Sequence, residues 1–304
     1  MDSCITVWHW PHHERWYDEG IRRTLDRVRT AGFTHVNWNP DSGSSYWFSD
    51  AEIEFTRKIV AEAGLKVHSL HASNGRNLVS ELKGSHEFIR ETRKDILSHH
   101  AWQRQSGVEL LQNRIDLAVA FGAPNVVLHV DIVDEVFENP ENEARFFEPL
   151  ERSLDDLRPY CARSGVQIAV ENLPKASADN YLLLFDWLFT RYEADFIGLC
   201  YDSGHWEMIE PGRVSVLERH GKRLIATHIH DNFSAMDDHL LPFDGKVNWD
   251  IVTKAIAATP YVTPLNFETP IDRYAMEELS YYRRAHDVAI RLETMISEAR
   301  HGHG

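Results

Sequence analysis

The sequence predicts an α/β protein that folds as a single (β/α)8 TIM barrel, and three observations lead to this prediction. Short apolar, β-branched runs alternate with longer amphipathic segments from one end of the chain to the other. Eight such runs can be counted, which is the number of parallel strands that closes a barrel. The length of 304 residues is usual for one such barrel. We therefore expect residues 1–304 to form one domain.

The eight predicted strands are followed by loops and preceded by helical patterns. In chain order they are Ile5–Trp10, His35–Asn39, Lys66–Ser73, Asn125–Asp131, Gln167–Leu173, Ile197–His205, Leu224–Asn232 and Pro264–Thr269. Helical spacing is clear where Val108, Leu111 and Ile115 precede the stop signal Gly122. One connection, at about 74–107, is unusually long and polar, and it is expected to be either a lid or a surface excursion.

Composition restricts the classes of partner. The chain has 47 acidic residues against 32 Lys and Arg, a formal net charge of −15, which disfavours a nucleic-acid partner. No apolar stretch reaches the length of a membrane span, and Met1–Trp10 lacks the pattern of a secretion signal, so we expect a cytoplasmic protein with no membrane partner. Cys4, Cys161 and Cys200 are widely spaced and are expected to be reduced thiols. The oligomeric state stays open, with a homo-oligomer among the options.

Six predicted strands end in a side chain that can bind metal. These residues are His71, His129, Glu171, Asp202, His228 and Glu268. In a (β/α)8 barrel the carboxyl ends of the strands meet at one face, where active sites lie. Three carboxylates and three imidazoles would be costly to gather there without a compensating cation. The sequence therefore predicts a divalent metal centre at this face of the barrel.

An ordered series of short motifs resembles the xylose-isomerase-like barrel superfamily, which contains endonuclease IV, ketose 3-epimerases and inosose dehydratases. The motifs run from about the second strand to the eighth, and the series is more specific than any one of its members. They are Ser69-Leu-His71-Ala, Val127-Leu-His129, Val170-Glu-Asn172, Tyr201-Asp-Ser-Gly-His205, His228-Ile-His-Asp231-Asn, Asp237-Asp-His239 and Asn266-Phe-Glu268.

The resemblance implies two sets of metal ligands. The first matches the single metal of the epimerases and comprises Glu171, Asp202, His228 and Glu268. The second matches the added ligands of the three-zinc endonuclease and comprises His71, His129, His205, Asp237 and His239. The implied cofactor is a divalent ion such as Mn, Zn, Mg or Co.

By the same resemblance, we expect an isomerase, epimerase or related lyase that acts on a sugar or polyol. The metal would chelate a carbonyl and a neighbouring hydroxyl and stabilise the enediolate formed when the adjacent proton leaves. Glu171 and Glu268 would exchange protons with opposite faces of that carbon. The candidate substrate-binding residues are His205, His71, His129, Trp206 and Lys175.

The alternative function is a multi-metal phosphoester hydrolase of the endonuclease IV type, and a metal-dependent binding or scaffold protein is a third hypothesis. Three departures bear on this choice. Asn74 stands where the endonuclease places a Tyr, and the run after Glu171 is Asn-Leu-Pro-Lys instead of a small, Ala- and Gly-rich turn. The positions that match the substrate-binding Glu and Arg of the epimerases are Ser177 and Ser234. The exact substrate therefore stays open.

Overall fold

Eight parallel strands form the centre of the structure. The structure is a computed structural model, and it describes residues 2–8, 17–72, 93–233, 236–262 and 264–302. Each of the first six strands pairs with the next one along the chain, and the first also pairs with the eighth. The strands are β1 (Cys4–Val7), β2 (His35–Trp38), β3 (Lys66–His71), β4 (Asn125–His129), β5 (Gln167–Glu171), β6 (Ile197–Asp202), β7 (Leu224–His228) and β8 (Asn266–Phe267).

The sheet closes almost completely between β7 and β8. The backbone N–H of Ile229 donates to the carbonyl of Asn266 at 2.8 Å, and the N–H of Glu268 donates to the carbonyl of Ile229 at 3.1 Å. This confirms the predicted (β/α)8 barrel. The strands end earlier than predicted, because the residues after them turn into loops or caps; the sixth ends at Asp202, whose carboxylate caps the next helix. Trp10, in the first predicted strand, lies outside the described residues.

Helices cover the outside of the barrel. In the described ranges they are α1 (Tyr17–Ala31), α2 (Asp50–Ala63), α3 (Ala101–Phe121), α4 (Pro140–Ser164), α5 (Ala178–Arg191), α6 (Ser203–Ile209), α7 (Ser215–His220), α8 (Trp249–Ala257) and α9 (Glu278–His301). Because α3 begins at Ala101, residues 101–107 of the predicted long connection are its first turns, and residues 73–92 lie outside the description. Across the described ranges, every helix is too short or too polar to span a bilayer.

The core has an outer part between strands and helices and a small inner layer inside the barrel. Val127, Ala169, Cys200 and Ala226 make up the inner layer. Two positions further along the same four strands stand the polar residues His129, Glu171, Asp202 and His228. Since side chains alternate across a strand, each polar residue points to the same side as the inner-layer residue below it. The layer is thus the floor of a polar site at the carboxyl ends of the strands.

Candidate metal centre

Four side chains meet on that floor. Glu171, Asp202, His228 and Glu268 are fully or almost fully buried. Each offers one potential ligand atom, and the four atoms lie within 4.8 Å of one another. They come from β5, β6, β7 and the residue that follows β8, so separate strands fix their positions. The structure therefore brings together the four residues that the first ligand set comprises. We refer to them as the four-residue centre.

His228 presents its Nδ1 atom to the carboxylates. This atom lies 2.7 Å from Oε2 of Glu268 and 3.1 Å from Oε2 of Glu171. On the other side of the ring, Nε2 lies 3.4 Å from the side-chain amide of Asn37. Nδ1 of His228 and Oε1 of Glu171 are buried, and neither completes a hydrogen bond of good geometry within the described part of the chain. Buried polar atoms that lack a well-aligned hydrogen bond and lie beside carboxylates fit a bound cation.

The pKa values show how much the carboxylates depend on nearby positive charge. Burial by itself would raise the pKa of Glu171, yet His228, His129 and His205 hold it well below its usual value. Burial would lower the pKa of His228, but Cys200, Glu171 and Glu268 raise it instead. The carboxylates are therefore stabilised as ion pairs with imidazolium groups. A divalent ion would supply the same charge, and three carboxylates with one imidazole suit Mn²⁺, Mg²⁺, Zn²⁺ or Co²⁺.

His71 and His129 flank the four-residue centre on one side. Nε2 of His129 lies 2.9 Å from Oε2 of Glu171, and Nε2 of His71 lies 3.6 Å from Oε1 of Glu268. The two imidazoles contact each other edge to face, with ring centroids 4.5 Å apart. Burial and the neighbouring His129 lower the pKa of His71 to about 4, so His71 is neutral at pH 7. A neutral imidazole can ligate a metal or hydrogen-bond a hydroxyl.

A second group of imidazoles lies on the other side, around Asp237. Oδ2 of Asp237 is 3.2 Å from Nε2 of His205 and 3.0 Å from Nε2 of His239. Although burial opposes it, Asp237 raises the pKa of His239 to about 9. His230 joins this group, and with the other three it forms a further set of possible ligands. Sequence reasoning did not single out His230, although its position two residues after His228 was a usable signal.

The loop after β7 comprises residues 229–248, of which the structure describes all but 234 and 235. This loop carries Asp237 and His239 to the site. The buried carboxylate of Asp231 holds this loop by accepting four hydrogen bonds, each of 2.9 Å. The donors are the backbone N–H groups of Asn232, Phe243 and Val247 and the indole N–H of Trp249. Gly245 passes so close that a Cβ there would lie 2.3 Å from Oδ1 of Asp231. Only glycine allows this approach without movement of the loop.

Asn232 fixes the end of the loop that enters the site. Its Oδ1 accepts hydrogen bonds from the backbone N–H groups of Asp238 at 2.7 Å and His239 at 3.2 Å. His239 has a φ of 50°, in the left-handed region that non-glycine residues rarely adopt. Nδ1 of His239 also lies 2.8 Å from the backbone carbonyl of Glu268. The unusual backbone conformation of His239 is thus held by contacts on both sides of the residue.

A cavity of about 320 Å³ opens above the centre. Among the described residues its lining consists of Trp8, Asn39, Asp41, Gly43, Ser44, His71, Ala72, His129, Glu171, His205, Asp237, His239 and Glu268. Three of the predicted substrate-binding residues, His71, His129 and His205, are in this lining. Trp8, Asn39 and Asp41 were missed from the sequence, although Asn39 ends a predicted strand. Trp8 contacts His239 edge to face.

Two predicted substrate-binding residues are not part of the described lining. Trp206 is fully buried, and its indole N–H already donates to Oε2 of Glu210 at 3.1 Å. Lys175 forms an ion pair with the buried Asp131, with 2.7 Å between Nζ and Oδ2. The packing around Trp206 and the ion pair of Lys175 account for both side chains, so the geometry gives no support to a substrate contact by either. Ser234 lies outside the described residues.

Three solved structures have a similar fold. A structure of L-ribulose 3-epimerase has a TM-score of 0.69 and 17% sequence identity, with 99% of this chain and 97% of that chain covered. D-psicose 3-epimerase, in the presence of D-fructose, has a TM-score of 0.69 and 12% identity, with 97% and 99% covered. The apo form of the 3-keto-D-glucoside 4-epimerase YcjR from E. coli has a TM-score of 0.64 and 16% identity, with 97% and 100% covered. At these identities the likeness shows the fold.

Sequence comparisons agree with the structural ones. The chain is 70% identical over 302 residues to uncharacterized protein y4fM of Sinorhizobium fredii (strain NBRC 101917 / NGR234), covering 99% of this chain and 97% of that protein. The family model described as a xylose isomerase-like TIM barrel matches residues 25–292. This range takes in every strand from β2 to β8 and all four residues of the centre, and it confirms the resemblance seen in the motifs. The chain belongs to the xylose isomerase-like TIM barrel family.

Proposed function

We propose that the chain is a divalent-metal-dependent isomerase or epimerase that acts on a sugar or polyol by moving a proton next to a carbonyl. One observation carries the proposal: Glu171 and Glu268 both line the cavity and both lie against Nδ1 of His228. Two carboxylates that border one substrate space can serve as base and acid for the same carbon. The names of the similar structures, all sugar epimerases, support this choice.

The chain's own residues have distinct roles in this proposal. Glu171, Asp202, His228 and Glu268 would hold the ion, which when bound would stabilise negative charge that develops on a substrate oxygen. Glu171 and Glu268 take up and return the proton. His71, His129 and His205 orient substrate hydroxyls from the cavity wall, where His71 is held in its neutral form. Because β1 pairs with β8, we further propose that residues 1–304 act as one domain.

The charge of the cavity favours an uncharged substrate. Asp41, Glu171, Asp237 and Glu268 contribute four carboxylates to the lining, which the protonated His205 and His239 offset only in part, and its described part contains no Lys or Arg. Even with a divalent ion bound, a site of this composition attracts phosphate or carboxylate groups weakly. We therefore propose a free sugar or polyol as the substrate, and not a phosphate ester.

A multi-metal phosphoester hydrolase is the second candidate, because two further groups of possible ligands adjoin the four-residue centre. One contains His71 and His129 with Glu171, and the other contains His205, His230, Asp237 and His239. Both candidates predict metal binding, but they differ in the number of ions. Anomalous diffraction at the metal edge should show one strong peak at the four-residue centre for an isomerase. Three fully occupied peaks about 3.5–4 Å apart would favour the hydrolase.

An isotope-exchange assay tests the proposed reaction. The Mn²⁺-loaded protein is incubated in D₂O with single ketopentoses and ketohexoses, and deuterium incorporation next to the carbonyl is followed by NMR. We expect incorporation or conversion with at least one uncharged ketose and none with the Glu171→Gln variant. Absence of exchange with every ketose, together with hydrolysis of a phosphate diester, would replace the isomerase with the hydrolase.

A further inference from the structure

His230 lies between the four-residue centre and the group of imidazoles around Asp237. It is fully buried, and its Nε2 lies 2.9 and 3.0 Å from the two carboxylate oxygens of Asp202. Its ring stacks on that of His239, with centroids 4.1 Å apart and 15° between the planes. The edge of the ring meets His205 at 5.5 Å. One imidazole therefore contacts both a member of the four-residue centre and the loop group around Asp237.

The Cε1 and Nδ1 atoms of this imidazole lie against Gly204. A Cβ at position 204 would lie 2.0 Å from Cε1 and 2.3 Å from Nδ1 of His230. Nδ1 itself is buried and has no hydrogen-bond partner within the described part of the chain. The hydrogen-bond geometry therefore assigns the ring proton to Nε2, where it can donate to Asp202. Gly204 follows Asp202 by two residues, so the same turn supplies both the acceptor and the space for the donor.

Asp202 has two donors that fix its direction. The backbone N–H of His205 donates to Oδ1 at 2.7 Å, since Asp202 is the N-terminal cap of α6, and the Nε2–H of His230 lies within hydrogen-bond distance of both carboxylate oxygens. Of the described residues, His230 is not among those that line the cavity. Partners of this kind hold a ligating carboxylate in the direction that the metal requires.

We propose that His230 is a positioning residue that aims Asp202 at the metal ion, an inference that rests on the proposed metal at the four-residue centre. Loss of such a partner commonly weakens metal binding 10- to 100-fold. The Nε2–H of His230 keeps the carboxylate of Asp202 from rotating, and the stacking on His239 keeps the imidazole in place. The role requires an N–H donor at this position, and it does not require that His230 touch the ion.

The test is Mn²⁺ binding measured by titration calorimetry on two matched variants. His230→Phe keeps an aromatic ring that can stack on His239 but has no N–H, whereas His230→Gln keeps a donor at similar reach. We expect Mn²⁺ binding to be about 10- to 100-fold weaker for His230→Phe. For His230→Gln we expect binding within about 3-fold of the unchanged protein, because the Gln side chain still offers an N–H donor to Asp202. At saturating Mn²⁺, kcat of His230→Phe should recover. His220→Gln, a buried imidazole at the end of α7 beside Asp186, is the control.

The outcomes separate this inference from its alternatives. Unchanged affinity in His230→Phe would overturn it. Equal weakening in both variants, with a lower number of bound ions, would make His230 a direct ligand and would also overturn it. If His230→Phe does not fold, Gly204→Ala, which displaces the ring, is titrated in its place and should show the same weakening. Absence of Mn²⁺ binding in the unchanged protein would reject the proposed function itself and, with it, this inference.

Discussion

The buried carboxylate of Asp231 accepts a hydrogen bond from the indole N–H of Trp249 at 2.9 Å and so ties the loop after β7 to the start of α8. Replacement of Asp231 by Asn would leave one accepting oxygen and turn an NH₂ group toward backbone donors. We expect Asp231→Asn to lower the free energy of unfolding by about 1–3 kcal/mol, because buried donors lose their acceptor. Urea denaturation at pH 7 measures the change.

The same substitution at the exposed Asp250, in the first turn of α8, is the matched control for Asp231→Asn. Its cost should stay below about 1 kcal/mol, since a surface carboxylate at a helix N-terminus contributes only that much. An Asp231→Asn variant as stable as the Asp250→Asn control would show that the four hydrogen bonds do not hold the loop.

Glu171→Gln and Glu268→Gln should each abolish isomerase activity while the fold is retained. Both carboxylates lie at the mouth of the barrel and not in the packed inner layer, and a proton-transfer group commonly contributes 10²- to 10⁴-fold to the rate. We therefore expect kcat to fall by at least about 100-fold, with far-UV circular dichroism unchanged. The control is Glu193→Gln, a change of an exposed carboxylate two residues after the end of α5. Near-normal turnover in either site variant would exclude the proposed proton transfer.

Removal of metal should eliminate activity and leave the secondary structure in place. The apolar core between strands and helices is large and separate from the four-residue centre, so it does not need an ion to form. We expect chelation to leave far-UV circular dichroism unchanged. Addition of Mn²⁺ at about 100 times its dissociation constant should stabilise the protein by about 2.7 kcal/mol, which a thermal scan detects. Global unfolding on chelation would make the ion a structural one.

His68 should make the protein less stable in acid. Burial, with smaller contributions from the charges of His35 and His228, lowers the pKa of His68 to about 4, against 6.5 for an ordinary imidazole. Between these pH values the unfolded chain binds a proton that the folded one does not. The stabilisation is therefore complete above about pH 6.5 and is lost as the pH falls toward 4.

Substitution of His68 tests this prediction. His68→Gln removes the titrating ring and keeps a side chain that can hydrogen-bond the hydroxyl of Tyr261, the present partner of His68 at 3.2 Å. Between pH 6.5 and 4 the unfolding free energy of the variant should fall less steeply, by at most about 3 kcal/mol in total. Denaturation curves at several pH values measure the slope. The control His99→Gln, at an exposed position, should leave this slope unchanged. Identical slopes for the unchanged protein and for both variants would contradict the prediction.

The candidate metal ligands at the strand ends could be predicted from the sequence, because parallel strands place their carboxyl ends together and because side chains alternate along a strand. Ala169 and Glu171, or Ala226 and His228, show the pattern directly: a small inner-layer residue is followed two positions later by a polar one. This rule uses only local sequence and the closure of the barrel.

Features that depend on contacts between distant segments could not be predicted in this way. The pairing of β2 with β3 skips His68, since Val36 faces Val67 but Asn37 faces Ser69. An extra residue of this kind leaves no mark in the alternation of apolar and polar residues. Trp206 was expected to bind the substrate, yet packing around α6 encloses it. Nothing in the local sequence reports that enclosure.

The contact between Gly204 and the ring of His230 makes two positions on different strand-to-helix turns depend on each other. A side chain at 204 cannot share the space with an imidazole at 230, because their atoms would be 2.0 Å apart. During divergence, the two positions should therefore change together. Relatives with Ala or a larger residue at 204 should carry a smaller residue at 230, and they would have to orient the strand-six aspartate with a different donor.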